Sequence, residues 1–299
     1  MNEHDIPLSD AIDHEILMHK DTHFGGSFIA MLAYYQKEGR GIRPEFHIER
    51  IEHLKALDEE CGGKLSEKVL FEQEKEDVAH AKQKYAELRD LYESEGNALP
   101  RMIADLILSE EEEPSKEIAA IIGQGNKAVQ PLLTLLSSED FYNPLYPGYG
   151  EAPALAAKCL GLIGDERAIQ PLFNALGRED FFTEEAVLDA LAVIGDRAKE
   201  FLLNVLKKMP FSKDNERALI ALLCFKEDPQ IAKVCFQLLQ DLQNVSHATF
   251  AAYLVMGCYA LREPQDREAF VQLAKQSALP PQLRGEVDIL IHQWKKHPS

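Results

Sequence analysis

A chain of 299 residues is long enough for one large domain or two ordinary ones, and with 45% apolar residues it can bury a sizeable core. Its 32 basic side chains stand against 50 acidic ones, a net charge of −18, which excludes bare nucleic acid as the main partner because phosphate binding needs clustered cations. Compositional disorder is excluded as well, since aromatic and branched apolar residues are plentiful and no block of like charge is long.

The first 25 residues carry Glu3, Asp5, Asp10, Asp13, Glu15 and Asp21 against Lys20 alone, with no apolar run of seven. No secretory leader is expected, and the reading is a cytoplasmic protein. Within this segment DHEILMHKDTHFGG sets His19 and His23 four apart, on one face of a helix, with Glu15 one turn earlier and His14 beside it. Neutral imidazoles at that spacing can share a zinc or iron ion when a carboxylate supplies the third ligand. Glu15, His19 and His23 are therefore the candidate metal site and the basis of an alternative reading, a metal-dependent enzyme with its site in the N-terminal helices. Against it stand the lack of a His-Glu-x-x-His string and the axial separation of Glu15 from His23. Gly25-Gly26 also fits a helix ending just after His23, where a histidine merely favours the negative end. The leading expectation is no cofactor and no catalytic residue. No Gly-x-Ser-x-Gly elbow and no phosphate-cradling glycine loop occurs either.

Next in the chain, Thr22 to Lys37 carries Phe24, Phe28, Met31, Leu32 and Tyr35 at helical spacing, and Pro44 opens a helix with Ile48, Ile51, Leu54 and Leu57 that Gly62-Gly63 ends. Together they read as a divergent cap hairpin. Ser66 to Glu95 reads as one long helix, with Phe71, Val78, Tyr85 and Tyr92 every seven residues and Ala81 and Leu88 between them, a narrow seam of coiled-coil type. Such a seam packs either along the rest of the chain or on a second copy, so a homodimer through the long helix is one expected partnership. Glu110 to Glu113 and Pro114 read as a solvated acidic junction. The expected organisation is a helical N-terminal cap region over residues 1–113 and a repeat region over residues 114–299.

The repeat region contains three segments that align without gaps: GQGNKAVQPLLTLL from Gly123, GDERAIQPLFNALG from Gly164 and GDRAKEFLLNVLKK from Gly195. An apolar helical stripe precedes each glycine and a second follows it, so each unit is a helical hairpin. The glycine suits a left-handed helix end, Asp165 or Asp196 can accept from the next helix's free amides, and Pro131 or Pro171 sits early in the second helix. Two degenerate copies begin at Glu216, with Lys226 at the joint, and at His247; Gln282 to Trp294 forms a last helix. The anchors are spaced 41 and then 31 residues apart, the excess being the insert DFYNPLYPGYGEAP. Leu242 to Leu261 lacks formal charge but holds too few strongly apolar residues to cross a membrane. Five cysteines (Cys61, Cys159, Cys224, Cys235, Cys258) without a Cys-x-x-Cys pair read as reduced thiols packed in helices.

The strings CLGLIGDERAIQPLFNAL and ALAVIGDRAKEFLLNVL resemble HEAT-like repeats of the kind named after phycobilisome lyases, over about residues 114–275. The resemblance implies an all-α solenoid, armadillo-like in its antiparallel helical hairpins, whose second helices line a concave face, and for most members it implies binding of other macromolecules. HEAT-like deoxyhypusine hydroxylases would need paired His-Glu dipeptides in symmetric repeats, and only His14-Glu15 occurs, outside the repeats. HEAT-like DNA glycosylases present a cationic face, whereas residues 111–299 hold 19 basic and 26 acidic side chains. No residue speaks for bilin handling.

If the second helices are oriented as the resemblance implies, their exposed positions form two ladders: Gln130, Gln170, Glu200 and Lys233, and Thr134, Asn174, Asn204, Gln237 and Lys275. An amide-rich strip of little net charge suits an extended peptide or a partner helix, although solvated helix faces look alike. The insert over 140–152 adds Phe141, Tyr142, Tyr146 and Tyr149, either as a recognition loop or as aromatics folded onto the neighbouring hairpin. The expected function is a non-enzymatic scaffold or adaptor for another protein or peptide, with no nucleic acid and no membrane partner.

Overall fold

A computed structural model of the chain describes residues 10–37, 39–93, 98–178, 180–241, 248–275 and 281–296, and the regular structure among these residues is helical throughout. The chain is an all-α solenoid built as two compact units, Met1–Ile163 and Gly164–Ser299. The division between these units falls between Ile163 and Gly164.

In the first unit, α1 (Ala11–His23) begins where Asp10 accepts from the Ile12 and Asp13 amides while the Asp13 carboxylate answers the Asp10 amide. The chain does not run on as one helix from Thr22: Gly25 and Gly26 take φ of 60° and 81°, ending α1, and Ser27 caps α2 (Phe28–Tyr35). Helix α3 (Ile48–Glu60) starts after His47, a turn later than Pro44, and ends at Gly62-Gly63 as expected. Ile16 and Leu17 from α1, Phe28, Met31 and Tyr35 from α2, and Ile51 and Leu54 from α3 share one core.

The single helix expected over residues 66–95 is two: α4 (Leu65–Val69) and α5 (Glu72–Glu93), broken where Leu70 adopts extended backbone. Burying both Leu65 and Leu70 in the first core forces that turn. Glu74 then restarts the helix by accepting from the Phe71 amide at 2.8 Å while also bonding His14 on α1. Residues 94 and 95 lie outside the described residues. The α5 seam is used within the unit: Val78 and Ala81 pack with Leu145 and Tyr146, and α5 lies against α1 and α6 (Ala98–Leu108). Of the seam positions, Val78, Ala81 and Leu88 are buried within the unit, whereas Phe71 and Tyr92 stay exposed. Helix α6 in turn packs on α7 (Ser115–Ile122), α8 (Asn126–Ser137) and α9 (Ala152–Ile163).

The second unit runs through α10 (Ile169–Ala175), α11 (Phe181–Ile194), α12 (Asp196–Leu206), α13 (Lys213–Leu222), α14 (Pro229–Leu239), α15 (Ala248–Gly257), α16 (Pro264–Lys275) and α17 (Pro281–Lys296). Leu242 to His247, including the expected start of the fifth copy, lie outside the described residues. Each second helix packs on the first helix of the following hairpin, α10 on α11, α12 on α13 and α14 on α15, so the apolar stripes of neighbouring hairpins bury one another.

The joints vary more than their sequences. Gly195 is left-handed at φ 80° as expected, but Gly123 is ordinary helix and Gly125, at φ 54°, makes the turn instead. Asp165 caps by accepting from the Arg167 amide, whereas Asp196 is already inside α12 and bonds Lys199. Lys226 needs no left-handed turn, because a short 3-10 segment (Leu223–Phe225) precedes it and Asp228 caps α14 with Pro229 in its first turn.

Candidate functional site on the second helices

The stripe each second helix buries decides what its other side shows. Helix α8 buries Val129, Leu132 and Leu136, which leaves Gln130 and Thr134 exposed. In the second unit α10 buries Ile169, Leu172 and Phe173 and exposes Gln170 and Asn174; α12 buries Leu202, Leu203 and Leu206 and exposes Glu200 and Asn204. Helix α14 buries Ile231, Val234 and Cys235 and exposes Lys233 and Gln237, and Lys275 is exposed at the end of α16. Every ladder position read from the sequence thus lies on the solvent side of its helix. One rung is paired within itself: Gln170 Nε2 donates to Asn174 Oδ1 at 2.8 Å. Thr134 turns its hydroxyl back to the Gln130 carbonyl at 3.1 Å.

The insert behaves differently from the ladder. Tyr142 donates to the Leu136 carbonyl at 2.7 Å. Tyr146 is 6% exposed and its hydroxyl bonds His80 Nδ1 at 2.7 Å. Tyr149, at φ 57°, donates to Glu110 Oε1 at 2.9 Å with its ring 4.8 Å from that of His23. A loop with four aromatics gains more by burying them on its own unit than by leaving them in water. The three hydroxyls expected to meet a partner are therefore all committed internally, and this corrects the loop as a presented surface. Burial pushes the Tyr149 phenol well above its ordinary value.

The histidine pair is likewise absorbed into the core of the first unit. Burial pushes His19 down to about 2, and burial pushes His23 down to about 4. His23 Nε2 lies 3.1 Å from the Pro144 carbonyl, which can only accept, so Nε2 carries the proton. Nδ1 must then accept from the Tyr85 hydroxyl at 2.7 Å. Both ring nitrogens are engaged, which leaves no lone pair of His23 for a metal. Glu15 lies 3.7 Å from Arg43 in an ion pair. Among the described residues no three His, Cys, Asp or Glu side chains form a group able to hold a metal ion.

Sequence reasoning missed the residues that hold this assembly together. Arg40, its side chain 1% exposed, donates to Glu151 at 2.5 Å and to the Ser109 and Gly148 carbonyls. Glu110, read as part of a solvated junction, accepts from both Tyr34 and Tyr149. Also unforeseen were ion pairs that join consecutive turns of the second unit, Arg197 to Glu166 at 2.8 Å and Lys199 to Asp228 at 2.6 Å. The cysteines are all free, with Cys159, Cys235 and Cys258 buried and Cys224 exposed. Among the described residues no helix is long and apolar enough to cross a membrane.

Residues 149–222, about a quarter of the chain and taking in α9 to α13, match the family of HEAT repeats. No curated protein matches the chain.

Proposed function

We propose that this chain is a non-enzymatic protein-interaction scaffold whose second helices bind an extended peptide or a helix of another protein. The observation that carries the reading is the alternation on α10, α12 and α14: apolar positions are buried while Gln170, Asn174, Asn204 and Gln237 are exposed at matching places in successive helices. Amides supply both donors and acceptors without net charge, so a strip of them fits the mixed hydrogen-bonding of a peptide backbone. Glu200 and Lys233 beside them oppose each other in sign. Gln130 offers the same group on α8 of the first unit. The match to HEAT repeats supports this reading, since stacked helical hairpins leave an extended surface suited to binding. The finer likeness, to repeats of phycobilisome-lyase type, rests on the strings CLGLIGDERAIQPLFNAL and ALAVIGDRAKEFLLNVL. A cytoplasmic setting and a protein or peptide partner belong to the same proposal.

A displayed random-peptide library selected against the full chain tests it. The selected peptides are expected to lose at least tenfold in affinity when Asn174, Asn204 and Gln237 are changed together to Ala, each amide contributing about 0.5–1.5 kcal/mol. Val193→Ala, at an exposed position on the first helix α11, should leave them unchanged. Unchanged affinity for the triple variant, or a library that returns no binder, would sink the reading.

A further inference from the structure

Within the second unit, lined by none of the ladder residues, lies a cleft of about 270 Å³. Four segments build it: Glu227 from the turn before α14, Tyr259 and Arg262 from the turn before α16, Arg267 from α16, and Gln293 and Trp294 from α17. The apolar floor is fixed. Trp294 is buried, donates its indole N–H to the Tyr259 carbonyl at 2.9 Å and packs edge-on against Phe270.

Arg267 is fixed too. Its Nε donates to the Leu261 carbonyl at 2.5 Å and its guanidinium carbon stands 5.1 Å from the Trp294 ring centroid, so the plane is set by one hydrogen bond and one aromatic face. Neither terminal nitrogen of Arg267 has a partner among the described residues, and exposed Arg262 forms no hydrogen bond or ion pair there at all. Lys226 adds a third cation, 5.5 Å from the Tyr259 ring centroid. Arg262 and Arg267 thus share one cleft in which Glu227 is the carboxylate among the lining residues.

We propose that this cleft binds a carboxylate carried on a peptide, with the Arg267 fork and Arg262 on the carboxylate and an apolar side chain against Tyr259 and Trp294. An oriented guanidinium with two free N–H edges matches a carboxylate in bidentate fashion. Glu227 and the Gln293 side-chain oxygen supply acceptors for the neighbouring peptide N–H, a donor that a bare inorganic anion lacks. The Glu227 carboxylate also disfavours a phosphate dianion. A volume of about 270 Å³ has room for one or two residues. The carboxylate can be a chain terminus or an acidic side chain, and the two are separable.

Trp294 is the single tryptophan of the chain, so its fluorescence reports on this cleft alone. The full chain is titrated with acetyl-Ala-Ala-Leu bearing a free carboxylate, with the same peptide amidated, with amidated acetyl-Ala-Glu-Leu, and with inorganic phosphate. A saturable change with one or both carboxylate peptides at a Kd below about 1 mM, none with the amidated neutral peptide, and weaker binding of phosphate are expected; which carboxylate peptide wins identifies the source. Arg262→Ala, at an exposed position that leaves the fold intact, should weaken that binding at least tenfold, with Arg262→Lys falling between. Equal binding of the neutral peptide, phosphate binding as tightly as the peptides, an unaffected Arg262→Ala variant, or no fluorescence and no calorimetric response to any peptide at 5 mM would each overturn the proposal.

Discussion

Lys199 Nζ lies 2.6 Å from Asp228 Oδ2, one hairpin further along the chain, and 2.7 Å from Asp196 in its own helix. Asp228 does two things at once, since its other carboxylate oxygen accepts from the Gln230 amide and caps α14. The Lys199 ammonium and that cap hold the Asp228 carboxyl below its ordinary value. Asp228→Asn keeps a capping oxygen and removes the charge, so it should cost only about 0.5 kcal/mol, in line with a partly exposed ion pair. Asp228→Ala removes the cap as well and should cost about 1–1.5 kcal/mol. Urea denaturation midpoints of the two variants check this; equal losses would show that the cap contributes nothing.

Asn215 is the second joint device. It is 2% exposed, and its Nδ2 donates to the carbonyls of Val205, Leu206 and Lys208 at the end of α12, while its Oδ1 accepts from the Ser212 amide. One buried side chain thus closes one helix and opens the next. Asn215→Ala leaves these carbonyls without their donor and should cost about 2–3 kcal/mol. Asn215→Asp should be at least as damaging, because it turns a carboxylate toward three carbonyl oxygens. Thermal unfolding of both variants decides it, and an aspartate variant as stable as the parent would contradict the assigned hydrogen bonds.

How much of this was legible in the sequence depends on the range of the forces involved. The buried stripe of α12 and the exposed Asn204 between its core residues follow from a 3.6-residue period, and both are found where the period puts them. The turn glycine was misplaced from Gly123 to Gly125 because either position closes the hairpin locally and only packing chooses. The break at Leu70 was invisible, since residues 66–95 carry a sound helical pattern and the competing demand, burial of Leu70 beside Leu65, comes from other helices. His23 shows the same limit for sites. Its i, i+4 spacing from His19 was read as a metal pair, but its hydrogen-bond partners, Tyr85 and Pro144, stand 62 and 121 residues away.

Gly41 meets the insert where a side chain has no room. A Cβ built there would lie 2.3 Å from the Tyr149 ring, and Tyr149 is held by Glu110 through its hydroxyl and by His23 against its face. Gly41→Ala should therefore destabilise the first unit by about 1–3 kcal/mol through overpacking. Pairing it with Tyr149→Phe, which frees the ring from Glu110, should recover part of the loss. Hydrogen exchange of α2 and of the insert is the local readout; protection unchanged in Gly41→Ala would contradict the packing.

The buried imidazoles set how the first unit responds to acid. His19 and His23 are pushed by burial from the ordinary 6.5 to about 2 and about 4. Above pH 6.5 both folded and unfolded chains hold them neutral, so they have no effect on stability there. As the pH falls below 6.5 the unfolded chain takes up protons that the folded unit refuses, and stability is lost down to about pH 4 for His23 and further for His19. The slope is about 1.4 kcal/mol per pH unit for each group. Urea titrations at pH 7.5, 6.5 and 5.5 should show little change over the first interval and a clear loss over the second. His19→Phe keeps an aromatic ring against Phe46, which His19 meets edge-on at 5.1 Å, and removes one titrating group, so it should roughly halve that loss. A variant with the parent's full acid slope would show that His19 titrates in the folded unit much as it does in water.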